Sequence, residues 1–265
     1  MSVAPTLKRR ETFFNAPPII LAIALALTCI HLAALASPVL GFDAALREFA
    51  FLPGRWSLAL WPEGLGRVLA DANHDPNALE QADALRHFDV LDDGAKLWSV
   101  FTYALLHGST AHVGLNVVWL VAFGAPAARA MSASRFLLLF GIGAAAGALA
   151  HWAARPWDFF PMIGASGAVS CIMGASARLA FSSRRSPSGR RILPTFAAIW
   201  LTTNVVFGAG AQTLGLSEAP VAWVAHIGGF VAGLVLAAAF TRPWLQALWS
   251  RPSPAPLPAD ARRAR

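Results

Sequence analysis

Gly164-Ala165-Ser166-Gly167 is a G-x-S-G setting, the kind in which a serine hydroxyl becomes a nucleophile. It opens a small, apolar run, GASGAVSCIMG from Gly164 to Gly174, whose plainest use is close packing of one helix on another. A hydroxyl alone is a weak nucleophile, and a neutral imidazole nearby can take its proton. His226 is one candidate for that role. It stands in a second apolar run, and Gly229 and Gly233 continue the same thin helix face. His112 and Asn116 are four apart and share a third face. Their N–H groups suit an oxyanion, with the Ser166 amide as a further donor. Such a set would carry acyl transfer through a serine. Two other chemistries compete. His107, His112 and His226 are possible metal ligands, but no carboxylate stands near them and no H-x-x-x-H or H-E-x-x-H pattern occurs. A proton-coupled transporter would call for intramembrane Asp or Glu and broken inverted repeats, and neither is visible. No metal is expected.

These residues need elements to hold them. The chain has 265 residues, 56% hydrophobic and 13% charged, with a mean hydropathy of +0.54. Soluble domains carry roughly 25% charged residues, so the composition is that of an integral membrane protein. Apolar stretches at 18–37, 112–128, 136–154, 162–181, 193–213 and 221–241 have the length of membrane helices. The second can begin at Ser109-Thr110, a plausible N-cap pair. The expected fold is an all-α, six-helix polytopic bundle. Cys29 and Cys171 both lie in apolar stretches and are read as packing residues.

The basic residues alternate across the spans. Lys8, Arg9 and Arg10 precede the first; Arg129 and Arg135 follow the second; Arg184, Arg185, Arg190 and Arg191 follow the fourth; Arg242, Arg251, Arg262, Arg263 and Arg265 follow the sixth. The other side holds Arg155 alone between spans three and four, and no Lys or Arg between five and six. Positive residues stay cytoplasmic, which puts both termini inside. The net charge of +7 is then a topology signal and calls for no nucleic acid. The chain divides into a basic tail (1–17), a six-helix domain (18–241) with a long external first loop (38–110), and a Pro-, Ala- and Arg-rich tail (242–265) expected to be disordered.

The first loop carries most of the acidic residues and is long for a connection. Phe49, Phe51, Trp56 and Trp61 place part of it at the membrane interface. KLWSVFTYALL, Lys96 to Leu106, is apolar but too short to span, and reads as an interfacial or re-entrant piece. Ala34-Leu35-Ala36 resembles a signal-peptidase site, but the preceding apolar run is longer than a signal peptide's, and a retained helix is expected. With this topology spans two, four and six all run from outside to inside. Ser166 and His226 then fall roughly 6–8 Å below the outer boundary, at a level with His112.

His107-Gly-Ser-Thr-Ala-His112-Val-Gly-Leu-Asn116, Gly164-Ala-Ser166-Gly167 and Ala225-His226-Ile-Gly-Gly229-Phe-Val-Ala-Gly233 together resemble the three signatures of the rhomboid intramembrane serine proteases, in family order on helices two, four and six. The resemblance covers about Leu97 to Phe240. It implies a Ser166–His226 dyad, oxyanion stabilisation by His112 and Asn116, and a structural role for His107 in the first loop. It also implies a cavity opening outward, no cofactor, and single-span or other membrane proteins as substrates. A compact chain of six spans with no visible organelle-targeting region is expected in a bacterial inner membrane. Two positions depart from the pattern. Ser170 stands where many members have a tyrosine packed on the histidine, so His226 must be oriented otherwise, for example by hydrogen bonding. Trp98-Ser99 stands where W-R is familiar, so an interfacial arginine is missing. A non-catalytic rhomboid-like protein that binds or escorts membrane helices is the second expectation.

Overall fold

The computed structural model describes residues 16–37, 41–66, 83–181, 189–210 and 221–240. Residues 1–15 and 241–265, and the arginines at 184 and 185, lie outside the described residues. The six apolar stretches fold as the helices α1 (Pro18–Ala36), α6 (Thr110–Ala130), α7 (Ala133–Ala154), α8 (Ser166–Phe181), α9 (Gly189–Gly210) and α10 (Trp223–Phe240). The first loop contributes the short helices α2 (Phe42–Phe49), α3 (Pro53–Leu60), α4 (Val90–Asp93) and α5 (Ser99–Thr102). Among the described residues there is no strand, only one antiparallel bridge between Phe51 and Met162. α1, α6, α7 and α10 are long and apolar enough to cross a membrane; α8 and the central part of α9 are shorter apolar helices.

The helix starts follow local chemistry. Pro18 begins α1, where the missing N–H costs nothing. Ser109 caps α6 by accepting the His112 N–H (3.1 Å), which fixes the turn carrying that histidine. Ser132 caps α7 through the Arg135 N–H in the same way.

α8 is the centre of the bundle. Every residue from Gly167 to Ala177 is buried, against α6, α7, α9 and α10. The crossing of α8 and α10 brings backbone onto backbone: a Cβ on Gly229 would strike the Gly167 carbonyl, one on Gly233 the Cys171 carbonyl, and one on Gly174 the Phe230 carbonyl. The small face seen in the sequence is therefore a packing surface. Cys171 is buried in it and Cys29 is exposed on α1. α9 is held differently, by ring contacts of Phe196 and Trp200, while Ile199 and Val206 remain exposed.

The first loop forms a small lobe with its own core, in which Leu52, Leu58, Leu85 and Phe88 meet Phe159 of the α7–α8 connection. Arg55, buried on α3, donates to the Phe88 and Arg47 carbonyls. Lys96 Nζ donates to the Arg47 carbonyl (3.1 Å) and to Glu48 (2.7 Å). The expected interfacial aromatics divide: Phe49 and Trp61 are exposed, but Phe51 is fully buried, in ring contact with Trp56 and Tyr103. Leu97, Trp98 and Phe101 are exposed, while Val100, Tyr103 and Ala104 are buried in the bundle, so this piece has two unlike sides. Ser99, which stands where an arginine is familiar, is buried and accepts the Trp56 indole N–H (3.4 Å).

Candidate active site

The fourth apolar stretch begins at Met162, but its helix begins four residues later, at Ser166. The reason is a partner distant in sequence. Met162 exchanges two backbone hydrogen bonds with Phe51 (2.9 and 3.1 Å) and is held extended. Gly164 follows at φ +114, a conformation L side chains rarely adopt, and a Cβ there would lie 2.7 Å from the His112 ring. The Gly164 N–H donates to the Tyr103 carbonyl (3.0 Å). The hydroxyl of that buried tyrosine donates to the Ala144 carbonyl of α7 (2.9 Å). Ser166 is thus the first residue of α8, not four residues inside it. The first N–H groups of a helix have no intrahelical acceptor, and the helix dipole is positive there.

His226 stands in the first turn of α10 and His112 in the first turn of α6, so three helix starts meet at one level. Ser166 Oγ and His226 Nε2 are 2.8 Å apart. The other ring nitrogen, Nδ1, is 2.8 Å from Oδ1 of Asn204 on α9. Asn116 lies one turn below His112, is buried, and donates through Nδ2 to the His112 carbonyl (3.0 Å), which leaves a second N–H on the same nitrogen. Ser170 is buried one turn below Ser166. Among the described residues no aromatic ring stacks on His226, and the hydrogen bond to Asn204 occupies its far side. No group of three or more metal-binding side chains occurs among the described residues.

His107 sits in the connection before α6, buried, with its ring 5.0 Å from that of His112. Its Nε2 accepts the Ala165 N–H (3.4 Å), beside the serine, and its carbonyl bonds His31 of α1 (3.1 Å). Burial, with the neighbouring His112 adding to it, pushes the His107 imidazole down from its ordinary 6.5 to about 4. A proton on Nε2 would also displace the Ala165 bond. Above pH 6.5 neither folded nor unfolded chain is charged at this residue. Below it the unfolded chain takes up a proton that the folded chain excludes, so stability falls with pH, and His107's contribution is lost by about pH 4. The thermal midpoint should therefore drop between pH 6.5 and 4, and His107→Gln should flatten that dependence. An unchanged slope in the variant would assign it to other groups.

The apolar helices, the glycine crossing and the polar groups at three helix starts define an integral membrane protein with a serine and a histidine in contact within its bundle. Residues 94–243 match the Rhomboid domain, more than half of the chain, and the chain belongs to the rhomboid family. It is 30% identical over 146 residues to Rhomboid protease GluP of Bacillus subtilis, covering 55% of this chain and 26% of that protein. It is 29% identical over 147 residues to Rhomboid protease GlpG of Pectobacterium atrosepticum, covering 54% and 48%. It is 28% identical over 162 residues to human Rhomboid-related protein 3, covering 58% and 39%. The chain thus matches between about a quarter and a half of the length of these relatives, in a family that includes intramembrane proteases.

Two polar residues in contact with the site escape the sequence reading: Asn204 and His31. Each is a polar side chain within an apolar span, and that signal, applied to spans one and five, would have found both.

Proposed function

We propose that this chain is an active intramembrane serine endopeptidase that cleaves transmembrane segments of other membrane proteins. The observation that supports it most is the 2.8 Å contact of Ser166 Oγ with His226 Nε2 at the start of α8. In this reading Ser166 attacks the scissile carbonyl while His226 takes its proton. The imidazolium then protonates the leaving amine, and water hydrolyses the acyl-enzyme with His226 again as base. The Ser166 N–H, the free N–H of Asn116 and the His112 ring stabilise the oxyanion, with the helix dipole in the same sense. His107, Gly164, Gly167, Gly229 and Gly233 hold the site in shape. A substrate helix must unwind locally, since its carbonyls are otherwise engaged in internal hydrogen bonds. The charge pattern supports an orientation with residues 1–17 and 242–265 cytoplasmic, the first loop (38–110) external, and a site opening to the same external side; the membrane is taken to be a bacterial inner membrane.

A fluorophosphonate probe tests this reading. Purified wild type should be labelled and Ser166→Ala should not. Absence of labelling and of cleavage in wild type would point instead to a non-catalytic protein that binds membrane helices. Asn116→Ala should lower turnover by about 10- to 1000-fold through lost oxyanion binding, measured as kcat on a single-span substrate. An unchanged rate would remove Asn116 from the site.

A further inference from the structure

Ser170 leaves His226 without the ring that orients it in many relatives, and α9 supplies a substitute of different chemistry. Two residues one turn apart on α9 meet two residues one turn apart on α10. The Trp200 ring stacks on Phe230 (centroids 4.1 Å apart, 12° between planes), and the Asn204 amide meets the His226 ring. A Cβ on Gly208, one turn further on, would press into the Trp223 side chain. The contacts 200–230, 204–226 and 208–223 form an antiparallel ladder with one register, so the meeting of Asn204 with His226 is set by the packing of two whole helices.

The ladder also fixes which end of the amide faces the ring. Asn204 Nδ2 donates to the Trp200 carbonyl (3.1 Å). That oxygen only accepts, so the NH2 end is committed to α9 and the Oδ1 end to His226. Oδ1 in turn only accepts, so Nδ1 of the ring must carry the hydrogen. A neutral imidazole protonated on Nδ1 has its lone pair on Nε2, 2.8 Å from Ser166 Oγ. This is the tautomer a general base needs; the other one would offer the serine an N–H in place of a lone pair. The neighbouring Thr203 bonds back to the Ile199 carbonyl in the same way (2.9 Å) on the exposed side of α9. A back-bond alone is thus an ordinary feature of this helix, and the second bond, across to His226, sets Asn204 apart.

We propose that Asn204 is the positioning residue of the site: its side-chain oxygen holds His226 in the Nδ1–H tautomer and in line with Ser166, and stays bonded to Nδ1–H when the ring becomes imidazolium. The proposal rests on the protease reading for its effect on rate, but its effect on the ring does not. Asn204 reaches His226 from α9, the helix seated by rings, and so ties the orientation of the base to the docking of that helix.

The test uses the full-length protein in detergent, with 15N-labelled histidine and assignment of His226 by comparison with His226→Gln. In wild type and in Ser166→Ala the ring nitrogens should report the Nδ1–H form. In Asn204→Leu, and independently in Asn204→Ala, the Nε2–H form should appear. On a single-span substrate both variants should lose about 10- to 100-fold in kcat with little change in KM. Asn204→Asp, which keeps an acceptor at the same reach, should return kcat to within a few-fold of wild type. The proposal is overturned if the apolar variants keep the wild-type tautomer, or if Asn204→Asp is as slow as Asn204→Leu. The nitrogen spectra read it even in a protein that cleaves nothing, whereas an inert wild type with the expected spectra would fault the protease reading alone.

Discussion

Alanine at Ser166 or at His226 should lower cleavage of a single-span membrane substrate by about 10⁴-fold or more. In the proposed mechanism Ser166→Ala removes the atom that would form the acyl bond, and Ser170 does not replace it, since it stands one turn deeper, beyond the contact His226 makes. His226→Ala leaves the hydroxyl without the group 2.8 Å away that accepts its proton. Because the two act in one step, the double variant should be no slower than the worse of the singles. Neither substitution opens a large gap in the core, so both proteins should stay folded, with thermal midpoints near that of wild type. Purified Ser166→Ala that cleaves at the wild-type rate would end the assignment.

The second large effect is expected at the crossing of α8 and α10. Gly229→Val or Gly233→Val forces a branched side chain against a carbonyl of α8, at Gly167 or Cys171. The obstacle is helix backbone, which cannot change rotamer, so the helices must separate. Overpacking of a close-packed core costs about 1–3 kcal/mol, and with backbone as the obstacle the upper end or beyond is expected. For a chain of this size that is a fall of about 6–12 °C in the thermal midpoint. Turnover should fall further than stability, because a displacement of ~1 Å at a reacting contact costs about 100-fold by itself. Gly114→Ala and Gly141→Ala are the controls. Both lie in helices with nothing within 4 Å of the new Cβ, and both should be neutral or mildly stabilising, since alanine favours the helix. Equal behaviour of the two sets would refute the close-crossing account.

The sequence made legible whatever follows from spacing along one helix. His112 and Asn116 share a face by their interval, and the glycines after Ser166 and His226 mark two thin faces suited to each other. Hydropathy alone delimits six spans. Three features depend on pairing between distant segments and were hidden for that reason. Met162–Ala165 are apolar and read as helix, but Phe51 holds Met162 extended, so the helix begins at the serine. Phe51 reads as an interfacial aromatic, but the lobe and the bundle close over it. Asn204 is one polar residue in an apolar span, with no partner on its own helix to mark which face matters, and only the ladder with α10 shows that it meets His226. The question posed by Ser170 is answered by a helix that the three signatures do not include.

The order of the chain has a consequence for biosynthesis. His226 follows Ser166 by 60 residues, and the Phe51 that shapes the serine's turn precedes both. At about 5–20 residues per second, the serine leaves the ribosome ~3–12 s before its histidine. Through that interval the hydroxyl has neither His226 nor the α10 face that carries it. A chain emerging among other nascent membrane helices therefore carries no assembled site until its sixth helix has been made and seated.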